Sequence, residues 1–421
     1  MNKRSRLTTY ILGALVLGIV VGYILNLTMA EPKKFAEYMS LLTTVFLRLI
    51  KMIIAPLVFS TLVVGIARMG DAKEVGRIGI KALSWFIIAS LISLSLGLVL
   101  VNLFRPGDAM VGFMPATTTA TGLVTTSMSL KEFVTHLVPA SIVDGMAKNE
   151  ILQIVVFSVF FGTAAAAVGP RANPLVDAID GLAHVMLKVT GYVMNFAPVA
   201  VFAAVSGVIA SSGVGVIGKF GAFMAEFYLA IALLWIVLTF GGFLFLGRRV
   251  FTLLRELREP TLLAFSTASS EAAFPKTLEG LERFGVKNRI AAFVLPIGYS
   301  FNLDGSMMYC TFAAIFIAQG YGIDMSAGAQ IMMLLYLMVA SKGMAGVPRA
   351  SLVIIAATLN QFGIPEAGLV ALFAIDHFLD MARSATNVIG NGIATAVVAK
   401  WEGELAAPAS AEKDVATAPL A

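Results

Sequence analysis

Five polar side chains, Asp376, Asp380, Arg383, Asn387 and Asn391, interrupt an otherwise apolar stretch near the end of the chain. Wound as a helix at about 100° per residue, they fall on one stripe roughly 80° wide. At mid-depth in a bilayer each ionised group costs about 2.5–3.5 kcal/mol on insertion scales. Neutralisation of Asp380 by Arg383, one turn away, accounts for two of the five and leaves three. A site for a polar substrate and a coupling ion uses all of them.

Three further breaks in apolar sequence carry chemistry. In SSEAAFP, Ser269, Ser270 and Glu271 are suited to cap a helix start, where orphan N–H groups need acceptors. Glu271 adds an acid that capping alone does not require, which makes it a candidate proton carrier. Asn302-Leu303-Asp304-Gly305 falls in the middle of an apolar run. Unwound there, the chain offers carbonyls, and Asn302 and Asp304 add side-chain oxygens that suit a small cation. A structural kink with Asp304 paired to a distant base is the plainer alternative. Gly343, Gly346 and Pro348 make a compact turn that suits a gate and equally a loop that only reverses the chain. Lys342 and Arg349 flank it, where long basic side chains snorkel to an interface.

The elements that must hold these groups follow from composition. Of 421 residues, 58% are hydrophobic and 13% are charged, against about 25% charged in soluble domains. That excludes a water-soluble globule and a disordered chain. The single Cys310 excludes a disulfide scaffold, and His136, His184 and His377 have no metal-ligand spacing. With 30 basic and 25 acidic residues the net charge is +5, but the bases sit between apolar runs, a topology signal and not a nucleic-acid patch. A bilayer needs about 20 apolar residues per helix. That ruler gives spans near 8–27, 40–67, 80–104, 150–169, 185–211 and 220–246. The first is expected to be a retained helix, not a signal peptide. Lys3, Arg4 and Arg6, then Arg68, Lys73, Arg77 and Lys81, then Arg248, Arg249, Arg255 and Arg258 fall on one side, expected to be cytoplasmic. The Thr/Ser-rich segment 115–130 falls outside, and the Ala/Pro-rich tail from about 404 is expected to be disordered.

Beyond residue 250 the ruler fails. Residues 259–280 and 328–360 each hold two apolar arms too short to cross, joined by a polar tip. Each predicts a helical hairpin that enters the membrane and turns back. Between them 290–319 spans with the Asn302 break inside, and 366–400 is a long last span. Polar backbone at membrane depth survives only where protein buries it or a cavity is lined by it. A hairpin followed by a helix, twice and in opposite orientation, is an inverted repeat, the pattern of secondary transporters with midplane sites at broken helices.

At STASSEAAFP, FNLDGSMMY, SKGMAGVP and DMARSATNVIGNGIATAVVAKWE, the chain resembles the glutamate/aspartate and dicarboxylate:cation symporter family. The likeness runs from about residue 8 to 403 and is most like the proton-coupled glutamate/aspartate branch. It implies an all-α integral membrane protein with eight transmembrane helices, two re-entrant hairpins and an elevator mechanism. It further implies a homotrimer in a bacterial inner membrane, both termini cytoplasmic. Scaffold helices would occupy 1–79 and 150–218. A transport domain would take the third helix and external loop within 80–149, together with 219–403, leaving a tail over 404–421. The implied substrate is an anionic amino acid, with no cofactor. Asp380 would hold its amino group and Arg383 its side-chain carboxylate. Asn387 and the backbone around Ser270 would hold the α-carboxylate. Ser269, Ser306 and Ser384 belong to the same set, with Gly346 and Val347 in the gate. Dicarboxylate carriers of the family lack the acid at the Asp380 position, so Asp380 favours an amino acid over succinate or malate.

The departures concern the driving ion. Sodium-coupled members carry an Asp where this chain has Asn391, and a Tyr and a Thr where it has Phe86 and Ala89. Of that trio only Ser90 remains. Glu271 matches the Ser-Ser-Glu tip of the proton-coupled branch. Protons are therefore the expected coupling ion, with Glu271 and a partly orphaned Asp304 or Asp376 as carriers and Asn302, Asn391 and Ser90 around them. Sodium stays open through backbone carbonyls, and a C4-dicarboxylate symporter is the nearest alternative. Ala268 stands where relatives place an Arg in the first hairpin, and Arg349 is new at the edge of the second. An intramembrane enzyme fits poorly, because no nucleophile–base set accompanies Asp376 and Asp380. A simple pore would not give saturable, concentrative uptake.

Overall fold

The computed structural model describes residues 3–69, 72–112, 114, 138–212, 215–341, 350–373 and 375–406. Among these the regular structure is helical. The first helices are α1 (Lys3–Thr28), α2 (Pro32–Met69), α3 (Ala72–Phe104), α4 (Ile142–Ala147), α5 (Ile151–Val168), α6 (Asn173–Met194), α7 (Ala197–Ser212) and α8 (Gly215–Leu246). A short α9 (Arg249–Glu256) leads to α10 (Arg258–Thr267) and α11 (Ser270–Phe284). Next come α12 (Asn288–Phe301), α13 (Asp304–Gly320), α14 (Ala327–Ala340), α15 (Ala350–Gln361), α16 (Leu369–Phe373) and α17 (Asp376–Trp401).

Among the described residues five segments are long and apolar enough to cross a membrane: Thr9–Thr28, Lys73–Phe104, Gln153–Met194, Phe220–Leu246 and Asn288–Gly320. Of the other expected spans, 40–67 lies within the single helix α2, and two are split. The stretch 185–211 is two helices, α6 and α7, which meet at Asn195 and Phe196. Pro198 in the first turn of α7 explains the break, since proline has no N–H for the preceding helix and its φ suits a helix start. The stretch 366–400 is broken ahead of Asp376, and its working part is α17 alone. The third helix begins at Ala72, not at 80, so Lys73, Arg77 and Lys81 stand on its first turns and not in a loop. Arg249 and Arg255 likewise sit on the short helix α9.

Both sequence breaks of the first repeat are present. Helix α10 ends at Ala268, whose φ of 52° is left-handed, and Ser269 then caps α11 by accepting from the Ala272 N–H at 3.4 Å. The chain therefore reverses within two residues. Helix α12 stops at Phe301; Asn302 (φ −121°, ψ 63°) and Leu303 (φ −98°, ψ 64°) are non-helical, and α13 resumes at Asp304. In the second hairpin the arms are α14 and α15. Its turn, with Lys342, Gly343, Gly346, Val347, Pro348 and Arg349, lies outside the described residues, as does 115–130.

Helices α1, α2, α5, α6 and α7 pack mainly on one another, whereas α17 is surrounded by α8, α10, α11, α12 and α13, with α3 against α13. Enclosure on every side buries α17 from Leu379 to Ala399, although Asp380, Arg383, Asn387 and Asn391 lie within it. The first residues of the expected tail, 404–406, are held in place. Glu404 and Ala406 pair with the α11–α12 turn through Lys287 N–H to Glu404 O (3.2 Å) and Ala406 N–H to Gly285 O (2.8 Å). Order therefore runs to Ala406, because these backbone groups find partners. Residues 407–421 lie outside the described residues.

Candidate functional site

Helix α17 presents its polar stripe to the α12–α13 break. Asn387 Oδ1 accepts from the N–H groups of Gly305 (2.9 Å) and Ser306 (3.3 Å), so a side chain from one helix satisfies the orphan donors at the start of another. Its amide Nδ2 donates to Ser306 Oγ at 3.1 Å, and Arg383 Nη1 donates to the same oxygen at 3.1 Å. Arg383 Nε lies 2.7 Å from Asp380 Oδ1 as an ion pair, outside hydrogen-bond alignment. Both residues are fully buried, so each charge depends on the other. One turn toward the helix start, Tyr309 OH donates to Asp376 Oδ1 at 2.7 Å.

A second cluster sits at the break itself. Asp304 accepts from Ser93 Oγ (3.1 Å) and from Asn302 Nδ2 (3.1 Å), and Asn302 Nδ2 also approaches Asn391 Oδ1 at 3.5 Å. Ser90 Oγ donates to Phe301 O at 3.4 Å. Ser93 has one proton and two acceptors, since Ala89 O lies 2.9 Å away. Asn302 Oδ1 and Asn391 Nδ2 are buried without a hydrogen-bond partner among the described residues. The packing is tight enough to require glycine: a Cβ at Gly390 would overlap Asp304 Oδ2, and one at Gly298 would overlap Asn391 Oδ1. Phe86 stacks over the same spot, its ring 3.4 Å from the Gly298 Cβ position.

The first hairpin's tip is applied to the same face. Ala264 and Ala273, one from each arm, enclose Val388 of α17, next to Asn387. Ser269 and Ser270 are buried, and Ser270 Oγ has no hydrogen-bond partner among the described residues. Ser384 Oγ is also buried without such a partner.

Most of the expected residues thus converge. Ser306, Asp380, Arg383 and Asn387 form one connected network, and Asn302, Asp304 and Asn391 another, with Ser90 alongside. One expectation needs correction: Asp304 is not partly orphaned, because Ser93 donates to one of its oxygens and Asn302 to the other. Tyr309 donates to one oxygen of Asp376. Glu271 is half-buried. Sequence reading missed Ser93, Tyr309 and the Trp235 Nε1–Thr386 Oγ1 bond (2.8 Å) that fixes α17 against α8. Ser93 had a signal: it stands three residues after Ser90, on the same helix face.

Beyond the end of α17 two acidic residues each pair with two bases. Glu402 bonds to Arg77 and Lys81, and Glu404 to Lys287 and Arg289. Hydrogen bonding from Arg77, with help from Lys81 and against burial, holds the Glu402 carboxyl below its usual range.

A broken helix packed on a buried polar one, with a helical hairpin turned into their contact, is the architecture of a membrane symporter. Residues 7–401 match the sodium:dicarboxylate symporter family, and the chain belongs to that family. It is 42% identical over 395 residues to the proton/sodium-glutamate symport protein of Geobacillus stearothermophilus, covering 93% of each chain. It is 41% identical over 410 residues to the proton/glutamate-aspartate symporter of Escherichia coli (strain K12), covering 95% of this chain and 94% of that one. A C4-dicarboxylate transport protein of Anaeromyxobacter sp. (strain K) is 37% identical over 413 residues, 96% of this chain and 92% of its own. The family and these relatives are transporters, not enzymes.

Proposed function

We propose that this protein imports L-glutamate and L-aspartate across the bacterial inner membrane, driven by protons. The observation that carries the reading is the fully buried Asp380–Arg383 pair beside Ser306 and Asn387. A substrate with one ammonium and two carboxylates matches a fixed anion, a fixed cation and N–H donors at helix starts. Asp380 takes the amino group and Arg383 the side-chain carboxylate. Asn387 and the tip backbone at Ser269 and Ser270 take the α-carboxylate, with Ser306 and Ser384 alongside and Gly346 and Val347 in the gate.

Protons fit the second cluster better than sodium. Asn391, Phe86 and Ala89 stand where the resemblance places an Asp, a Tyr and a Thr in sodium-coupled members, which removes one carboxylate and two hydroxyl oxygens from a sodium cage. Glu271, Asp304 and Asp376 are the carriers to consider. The separate packing of α1, α2, α5, α6 and α7 supports a scaffold against which the remaining core moves as an elevator, in a homotrimer with both termini cytoplasmic. A sodium-coupled glutamate/aspartate symporter and a C4-dicarboxylate symporter are the competing readings, the second because such carriers stand among the relatives. Competition against labelled L-glutamate uptake separates the substrates. Excess L-aspartate should abolish uptake while equal succinate leaves it nearly unchanged, since succinate strands Asp380 unpaired. Equal inhibition by both would favour the dicarboxylate reading.

A further inference from the structure

Two cavities lie along the outer side of α8, α10 and α17. The larger, about 650 Å³, has α1 and α7 as one wall, with Val20 and Ile209, and Tyr228, Phe265 and Met381 as the other. The smaller, about 320 Å³, is walled by Trp235, Thr239, Phe265 and Ile389 and has Arg258 in its lining. Phe265 belongs to both. On α17 the lining passes in order through Phe378, Met381, Ala385 and Ile389, spacings of three and four that keep to one helix face. The cavities are therefore neighbours along one face, with Phe265 between them, and together they form a groove. From Phe378 to Ile389 it runs about 17 Å at 1.5 Å per residue.

The groove has opposite chemistries at its ends. Its far end meets α1, where Ile19, Val20 and Tyr23 are 42–48% exposed and open to hydrocarbon. At its near end stand Arg255 and Arg258, both exposed and joined by Arg258 Nε donating to Arg255 O at 3.1 Å. Neither makes an ion pair with any described residue, whereas Arg77, Arg283 and Arg289 each do. Phe243, Leu244 and Phe251 form an exposed apolar belt beside them. Topology rules account for basic residues at this level, but not for a slot beneath them.

We propose that this groove binds an anionic phospholipid, with its phosphate on Arg255 and Arg258 and one acyl chain laid past Phe265 toward α1. A free phosphate would use the arginines and leave the slot empty, and an acidic peptide has no use for a slot walled in apolar side chains. Every membrane lipid offers a chain, so the headgroup decides occupancy, and two arginines supply roughly thirtyfold preference over a neutral lipid.

The test uses the full chain with Trp85→Phe and Trp401→Phe, which leaves Trp235 in the groove wall as the reporter. It is reconstituted in phosphatidylcholine with increasing amounts of chain-brominated phosphatidylglycerol or chain-brominated phosphatidylcholine. Trp235 fluorescence should be quenched at about thirtyfold lower mole fraction by the anionic lipid. Arg255→Gln with Arg258→Gln should erase the difference, and Thr239→Phe, which fills the slot, should erase it with both arginines intact. Equal quenching by the two lipids would overturn the proposal. So would a preference that survives Thr239→Phe, which indicates surface attraction only, or one removed by inorganic phosphate. As a check independent of these variants' folding, the unsubstituted chain should retain phosphatidylglycerol over phosphatidylcholine in native mass spectrometry. These readouts do not involve transport, so they stand apart from the proposed function.

Discussion

At the scale of single residues, the site is defined by buried charge that is fully committed. Arg383 is planar and reaches Ser306 and Asp380 from different nitrogens, which a lysine cannot reproduce. Arg383→Lys should lower the affinity for glutamate at least tenfold, about 1.4 kcal/mol, in a binding titration. Asp380→Ser should reduce amino-acid uptake and make succinate an effective competitor. Of these residues, the α17 stripe was legible because helical periodicity places its polar groups together whatever they pack against. Ser93 was not, because a lone serine in an apolar helix usually bonds back to its own preceding turn. Ser93 does that too, with Ala89 O, and its second acceptor Asp304 belongs to a helix 211 residues away. Ser93→Ala should shift the pH dependence of uptake while sparing substrate affinity at saturating proton concentration. An unchanged pH profile would remove Ser93 from the coupling cluster.

At the scale of elements, the breaks matter more than the helices. Ala268 turns the first hairpin with a φ of 52°, a conformation that costs a residue with a Cβ about 1–2 kcal/mol. Ala268→Gly should therefore raise the thermal unfolding midpoint in detergent. Gly390→Ala should lower it by about 1–3 kcal/mol of stability, because the added methyl overlaps Asp304. The hairpin arms and the Asn302 break were readable from sequence, since an apolar run too short to cross, or one with Asn-Leu-Asp-Gly inside it, leaves few alternatives. The start of α3 was not. Lys73, Arg77 and Lys81 look like a loop by hydropathy, but they are helical and two of them pair with Glu402, a contact that only the fold creates. The break between α6 and α7 was hidden for the opposite reason, because both sides of it are apolar.

At the scale of the whole molecule, the charged end ties α3, α12 and the segment after α17 together through Glu402 and Glu404. The Glu402 carboxyl is held below its usual value of 4.5. A group whose pKa is lowered by folding adds stability above its unfolded pKa and loses it as pH falls through the folded one. Thermal stability in detergent should thus hold from neutral pH to about 5 and fall below about 4.5. Glu402→Gln should lower the neutral plateau and flatten that fall, and an unaltered acid limb would remove Glu402 from its cause. The measurement that bears most directly on function is uptake of labelled L-aspartate into sodium-free proteoliposomes, with and without an inward proton gradient. Proton coupling predicts accumulation that requires the gradient and collapses with a protonophore. No uptake under the gradient, with recovery on adding sodium, would contradict it and return Asn302, Asp304 and the carbonyls at the break to the role of a sodium site.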